Sequence, residues 1–235
     1  MTSKLPVYIK IHDQIKKEIE DGIWKVGDRL PSERELSETF GVSRMTLRQA
    51  IQTLAEEGIL ERKIGSGTYV ARQKVKETMT GTTSFSDIVR SQGSQPSSQT
   101  IAYFITSPSS SEMEKLELTK DKKILKMERI RYADDVPICF EVASIPYDMV
   151  KGFTKDEITT SLYQTLENNG HRMIGKSSQS ISALSASETI AHYLDLKKGD
   201  AVLRLRQVSY LQDKTPFEYV RSQYAGERFE FYLEK

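Results

Sequence analysis

The sequence predicts an α+β protein in two parts: a helical N-terminal domain closed by a two-stranded hairpin, then a larger domain built on an antiparallel sheet. Three observations predict it. Apolar residues recur at helical spacing through the first seventy residues, the remainder alternates strands with short helices, and that remainder repeats itself at an offset of 78 residues. At 235 residues, 37% hydrophobic and 29% charged, the chain has the composition of one or two globular domains rather than of a disordered tail. No apolar run approaches the ~20 residues of a membrane helix, and the first residues lack a signal-peptide core. A cytoplasmic location without a membrane partner is expected. One cysteine, Cys139, excludes an internal disulfide, and three histidines leave little for zinc, so neither metal nor cofactor is expected. A net charge of +1 exerts no global pull on nucleic acid, and any such partner has to be read from local charge.

Tyr8, Ile11, Ile15 and Ile19 place one apolar face on a first helix. Gly22 and Gly27 bracket a connector whose Trp24 plugs a small core. Ser32, with Glu35 three residues on, is a capping-box start for a short second helix that stops at Phe40-Gly41. Ser43 caps a third helix with Leu47, Ala50, Ile51 and Leu54 on its apolar face, and Gly58 ends it. Ile59 to Ile64 and Thr68 to Val70 flank Gly65-Ser66-Gly67 as a hairpin. The order of these elements is that of a winged helix–turn–helix over residues 1–72. The glycine pair is not a nucleotide-binding fingerprint, because Val70 stands at the third glycine position and a strand follows.

Apolar periodicity disappears after Ala71, so residues 73–83 read as a linker and 84–235 as the second domain. Ser91 to Gln99 reads as a polar surface loop. Within the second domain, Leu116-Glu117-Leu118, Ile124-Leu125, Met127, Ile130 and Tyr132 recur as Leu194-Asp195-Leu196, Val202-Leu203, Leu205, Val208 and Tyr210. Each copy passes an aspartate-containing turn and a proline into another strand, which predicts two related strand–turn–strand units in one sheet.

The third helix carries Arg44, Thr46 and Arg48 opposite its apolar stripe, where a major groove would meet its first turns. The first 72 residues hold 12 basic and 11 acidic groups, yet Thr39 to Gln49 has two arginines and no acid, and Arg62 to Lys76 is likewise basic. Residues Lys4 to Val70 resemble the DNA-binding domain of the GntR family of bacterial transcription regulators. The resemblance runs through Pro6-Val7-Tyr8, Gly22-Ile23-Trp24, Gly27 to Leu36, Phe40 to Arg44, Thr46-Leu47-Arg48 and Gly65 to Val70. It implies Arg34, Arg44 and Arg48 as DNA contacts with Ser43 and Thr46 beside them. It further implies a wing tip of Gly65, Ser66 and Gly67 in the minor groove, and a homodimer on a palindromic double-stranded operator.

In the strand Leu125 to Tyr132, Leu125, Met127, Arg129 and Arg131 share one face. Two arginines on a core-type face are costly unless an anion meets them, and the second copy has Gln207 and Ser209 there instead. Surface salt bridging is the alternative. Glu141 on the next strand, and Glu218, Ser222 and Tyr224 near the end, fall on shared faces of their own. Ser84 or Ser86, and Ser161, can start helices whose N–H groups suit an anion.

Thr83 to Ser86, Arg129 to Tyr132, Glu141 to Pro146, Ser161-Leu162-Tyr163 and Phe217 to Tyr224 resemble the UTRA effector domain of HutC-type GntR regulators. The resemblance implies a chorismate-lyase-like antiparallel-sheet fold and a small-molecule effector, in sugar-responsive members a phosphosugar. Ser84, Arg129, Arg131 and Ser161 would then lie at the phosphate and Glu141, Glu218 and Tyr224 at the sugar, with Phe85 and Tyr163 in the same set. Gln223 and Ala225-Gly226-Glu227 depart from the usual final motif. The expected function is a transcriptional repressor released from its operator by effector. One alternative makes the second domain a dimerisation module only. A lyase-like enzyme is the other, although the sequence offers it no nucleophile–base pair and no catalytic residue: His12, His171 and His192 are scattered.

Overall fold

The computed structural model describes residues 5–72, 74–79, 83–169 and 171–233, with the side chain of residue 169 set aside. The chain divides into two compact units, residues 1–73 and 74–235. In the first, helices α1 (Val7–Glu20), α2 (Glu33–Thr39) and α3 (Arg44–Glu56) precede strands β1 (Leu60–Lys63) and β2 (Gly67–Val70), which pair antiparallel. Ile11, Ile15, Leu36, Leu47, Ala50, Ile51, Leu54, Leu60 and Val70 bury together, with Trp24 packed against them. The Trp24 indole N–H donates to Glu18 at 3.0 Å, so its polar edge is satisfied while its face covers the core.

Both helix starts read from sequence are present. Ser32 and Glu35 form a reciprocal capping box at α2, with Ser32 N–H to Glu35 at 2.8 Å, and the Ser43 hydroxyl accepts from Thr46 N–H at 3.2 Å on α3. Gly67 is favoured by its backbone, and a side chain there would also have to displace the end of Arg29. Its φ is +125°, and a Cβ there would lie 2.8 Å from Arg29 Nε.

The second unit is a six-stranded antiparallel sheet in the order β4-β5-β6-β9-β8-β7. Its strands are β4 (Pro96–Thr106), β5 (Ile124–Ala133), β6 (Val136–Pro146), β7 (Ile174–Ser185), β8 (Ala201–Leu211) and β9 (Pro216–Ala225). Two helices, α5 (Ser110–Leu116) and α8 (Glu188–Tyr193), follow β4 and β7 at equivalent places. The 78-residue repeat is therefore a structural one, joined at the centre where β6 pairs with β9. Equivalent details recur: Ser109 and Ser187 cap the two helices, and Glu117 and Asp195 end them with φ of 53° and 49°. The turns differ by the one inserted residue. Asp134 and Asp135 both have positive φ in a tight two-residue turn, whereas the longer second turn has Lys214 at +71°.

On the sheet face that carries Leu125 and Met127, helices α4 (Phe85–Ser91), α6 (Tyr147–Val150) and α7 (Lys155–Gln164) pack, α7 followed by a π-helical turn at Thr165–Asn169. Ile158, Leu162 and Leu166 reach Leu125, Met127 and Phe217 there.

Two expectations are corrected. The linker read over residues 73–83 contains a strand, β3 (Val75–Thr78), which pairs parallel with β10 (Phe229–Tyr232) and buries Val75 against Phe229. Its lysines and threonines hid a two-residue alternation of buried and exposed positions; residues 73 and 80–82 of that stretch lie outside the described set. The polar run Ser91 to Gln99 is likewise not all loop, since Pro96 to Gln99 begin β4 and pair with Ala133 to Ile130. An edge strand with one exposed face tolerates serines, and its first residue tolerates proline.

The capping box gives a direct test. Ser32→Ala is expected to destabilise the first unit by about 1 kcal/mol. Urea unfolding of the full chain, followed by Trp24 fluorescence, would show the loss as an earlier midpoint.

Candidate functional site

Two surfaces collect the residues singled out from sequence. On the first unit, α3 presents Arg44, Met45 and Arg48 to solvent while Leu47, Ala50 and Ile51 face the core. Ser43 and Thr46 hydroxyls lie 2.9 Å apart at its start. Arg44 has no ion-pair partner among the described residues. Arg34 pairs with Glu38 on its own helix at 3.2 Å. Glu33, which sequence reading passed over, accepts from Arg48 of α3 at 3.2 Å and from Arg62 of β1 at 2.8 Å. One carboxylate thus holds two cations from two elements on one surface. The acid-free stretch Thr39 to Gln49 is accordingly not free of acid in space. At the wing, Gly65, Ser66 and Gly67 are exposed, and the Ser66 hydroxyl meets the Tyr69 hydroxyl at 2.6 Å.

The second surface is a cavity of about 70 Å³ against the sheet. Four adjacent strands supply its floor through their register: Arg129 lies opposite Glu141, Glu141 opposite Ser222, and Ser222 opposite Leu205. Arg131, Gln207, Glu218 and Tyr224 extend those rows, so both copies of the repeat contribute, with Arg129 and Gln207 at equivalent positions. The walls come from Ser84, Phe85 and Ser86 of α4 with its cap and from Ser161 and Tyr163 of α7. All nine expected effector residues line this one cavity.

Electrostatics in the cavity centre on Glu141. Its Oε1 accepts from Arg129 Nη2 in a short contact, from Arg129 Nε at 3.0 Å, and has Arg131 Nη1 at 3.6 Å. Burial pushes the Glu141 carboxyl up, yet the two guanidinium groups outweigh it and hold the carboxyl below its usual range. Arg129 Nη1 also donates to the Thr159 carbonyl at 3.1 Å. Arg131 Nη2 donates to Ser86 Oγ at 2.9 Å, its guanidinium lies 4.8 Å from the Phe85 ring, and its buried Nε has no partner among the described residues. The surface-salt-bridge alternative is overturned, because both arginines and Glu141 are buried.

Each helix start has a defined cause. Ser84 caps α4, with its hydroxyl accepting from Asp87 N–H at 3.2 Å, while Ser86 turns inward to Arg131. Ser161 is extended (φ −160°, ψ 94°) within α7 and restarts the helix, accepting from Gln164 N–H at 3.4 Å. Tyr163 then donates its hydroxyl to Glu218 at 2.9 Å, lies 3.0 Å from Ser209 Oγ, and accepts from Gln207 at 3.3 Å. Burial, aided by the neighbouring Glu141 charge, raises the Glu218 carboxyl to about 7. Glu77 of β3 also borders the cavity, and burial raises it to about 7. The linker-like composition around Glu77 concealed it from sequence reading. No group of three His, Cys, Asp or Glu among the described residues is arranged to hold a metal, and no helix of those residues is long and apolar enough to cross a membrane.

A winged helix–turn–helix with an exposed arginine-bearing helix, followed in the chain by a sheet domain with a polar cavity, is the architecture of a DNA-binding transcription regulator. The chain belongs to the GntR family of bacterial regulatory proteins: that family's domain matches residues 7–70, and the UTRA domain matches residues 91–230. The HTH-type transcriptional repressor NagR of Bacillus subtilis is 34% identical over 97% of this chain and 94% of its own length. A GntR-family regulator from Enterococcus faecalis V583 is 64% identical over 59% of this chain and all of the solved chain, with a TM-score of 0.57. PhnF from Mycobacterium smegmatis is 26% identical, with a TM-score of 0.74 over 97% of this chain and 98% of its own.

The cavity carboxylates set a pH dependence. Glu77 and Glu218 keep their protons to about 7 in the folded chain and release them near 4.5 when unfolded. Between those values the unfolded state binds fewer protons, so stability falls as pH rises. Glu112, held down to about 2, acts in the opposite direction below 4.5. The melting temperature should therefore decline from pH 5 to pH 8, and Glu218→Gln should flatten that decline; an unchanged slope in the variant would refute the assignment.

Proposed function

We propose that this regulator is a repressor: a homodimer that grips a palindromic operator and releases it when a phosphorylated sugar enters the UTRA cavity. The observation that carries the effector reading is the buried Arg129–Glu141–Arg131 cluster. Two guanidinium groups share one carboxylate, leaving an excess positive charge in a cavity lined by Ser84, Ser86, Ser161 and Ser222, with an unpartnered Arg131 Nε. A phosphate monoester supplies the missing negative charge and acceptors. Glu141, Glu218 and Tyr224 stand beside it to take sugar hydroxyl groups. On the DNA side, Arg44 and Arg48 reach base edges from α3, with Arg34, Ser43 and Thr46 at the backbone and the Gly65 to Gly67 tip in the minor groove. The relatives support the direction of the response, since NagR is itself a repressor.

The cavity also suggests how binding is transmitted. At about 70 Å³ the resting cavity is smaller than the ~150 Å³ cavity that accommodates benzene, and in this reading its walls adjust as a sugar phosphate enters. Effector weakens DNA binding by its preference for the rearranged walls over the resting ones, and by no more than that difference.

Thermal shift with sugar phosphates, their free sugars, and phosphate or sulfate alone tests the cavity. A ligand at ~100 times its Kd adds about 2.7 kcal/mol. Stabilisation by a sugar phosphate and not by its free sugar is the expected result, and no response to any phosphorylated compound would end the effector reading. Arg131→Gln, which leaves the Arg129–Glu141 pair intact, should retain operator affinity and lose release by effector. Arg48→Ala should weaken operator binding by ~1–3 kcal/mol and relax sequence preference. An equal loss on random DNA would make Arg48 a phosphate contact.

A further inference from the structure

Among the described residues of the second unit, four glutamates are buried, and three meet donors. Glu112 accepts from Ser144 at 2.7 Å and pairs with Lys126 at 2.9 Å. Glu141 is shared by Arg129 and Arg131, and Glu218 accepts from Tyr163 at 2.9 Å. Glu77 is the exception. It is 7% exposed, and no hydrogen-bond donor or cation among the described residues reaches its carboxyl group. It alternates with Val75 on β3, at an inward position that a core residue would ordinarily fill.

A largely buried carboxyl with no protein partner is costly unless water or a ligand meets it, and this one borders the cavity, where either can reach it. Two further groups around the same cavity are also unpartnered, the Arg131 Nε and the Ser222 hydroxyl. An acceptor, a donor and a hydroxyl left open on one cavity match a ligand that carries acceptors at one end and donors elsewhere. Resting on the reading of the cavity as a sugar-phosphate site, we propose that Glu77 is an effector-contact residue that accepts a hydrogen bond from a hydroxyl or ammonium group of the sugar. Through this contact, effector occupancy acts directly on β3.

The position of β3 gives the contact its consequence. It is the first element of its unit, beginning two residues after the boundary at residue 73. Its strand pairing is limited to four residues of β10, supplemented by the Gln92 side chain, which bonds both the N–H and the carbonyl of Lys76 at 2.9 and 2.8 Å. A short two-stranded ribbon opens or shifts at lower cost than a strand inside the six-stranded sheet.

Calorimetric titration of the full-length protein with glucose 6-phosphate, glucosamine 6-phosphate and inorganic phosphate tests the proposal, together with hydrogen exchange at Val75 to Thr78. Wild type should bind the sugar phosphates and gain exchange protection in β3. Glu77→Gln should lose at least tenfold in sugar-phosphate affinity, keep its affinity for inorganic phosphate, and lose the protection. A larger loss for glucosamine 6-phosphate assigns the ammonium as the donor, and equal losses assign a hydroxyl. Lys76→Gln, on the outward face of the same strand, controls for folding and should behave as wild type. Unchanged sugar-phosphate affinity in Glu77→Gln, or an equal loss for inorganic phosphate, would overturn the role of Glu77 alone. Failure of the wild type to bind either sugar phosphate would overturn the cavity reading and this assignment with it.

Discussion

The second unit is organised around one ion cluster. Glu141 sits between Arg129 and Arg131 on neighbouring strands, all three buried, and the β5–β6 register places Arg129 directly opposite Glu141. Burying three charges is costly, and removing one partner of such a cluster typically costs ~3–5 kcal/mol because the remainder is left uncompensated. The surrounding groups answer that cost in detail. The break at Ser161 places the Thr159 carbonyl to accept from Arg129, Ser86 turns inward to Arg131, and the Phe85 ring covers the Arg131 guanidinium. Two guanidinium groups and one carboxylate leave the cluster itself with an excess positive charge after all of these contacts.

The repeat explains how such a cavity arises from an ordinary sheet. Two equivalent units, each a strand, a capped helix and a hairpin, meet at β6 and β9. Apolar positions are kept between the copies because both halves pack against the same layers. Polar positions have diverged, with Arg129 and Arg131 in one half replaced by Gln207 and Ser209 at the equivalent positions of the other. Symmetry of the frame brings Arg129, Arg131 and Gln207 to one cavity, with Ser209 bonding Gln207 beside it, and asymmetry of their chemistry gives it a charged side and a hydrogen-bonding side.

The first unit solves a different problem with the same economy of charge. A small core leaves most of its arginines exposed, and long cationic side chains lose conformational freedom when they meet DNA. Glu33 restrains two of them in advance by bridging Arg48 and Arg62, so the recognition helix and the wing share one electrostatic tie. Arg44, by contrast, has no ion-pair partner among the described residues.

Sequence by itself determined the elements whose signals are local: the Ser32 capping box and the Ser43 cap, the three N-terminal helices and wing, the repeat, and the alternation that put Arg129 and Arg131 on one face. Each rests on contacts between residues a few positions apart, or on a period of two or 3.6 that burial imposes. Arginines on a core-type face and serines before helices pointed to Arg129, Arg131, Ser84 and Ser161, and the family resemblance supplied the rest of the nine residues that line the cavity. Only the tertiary structure decided what depends on distant pairing. Ser97 to Gln99 are strand because β5 offers them an edge, and Val75 to Thr78 are strand because β10, more than 150 residues away, lies beside them. Glu33 and Glu77 belong to their sites through folding alone, since a carboxylate's partners, or the lack of them, are fixed by which elements pack around it and not by its neighbours in the chain.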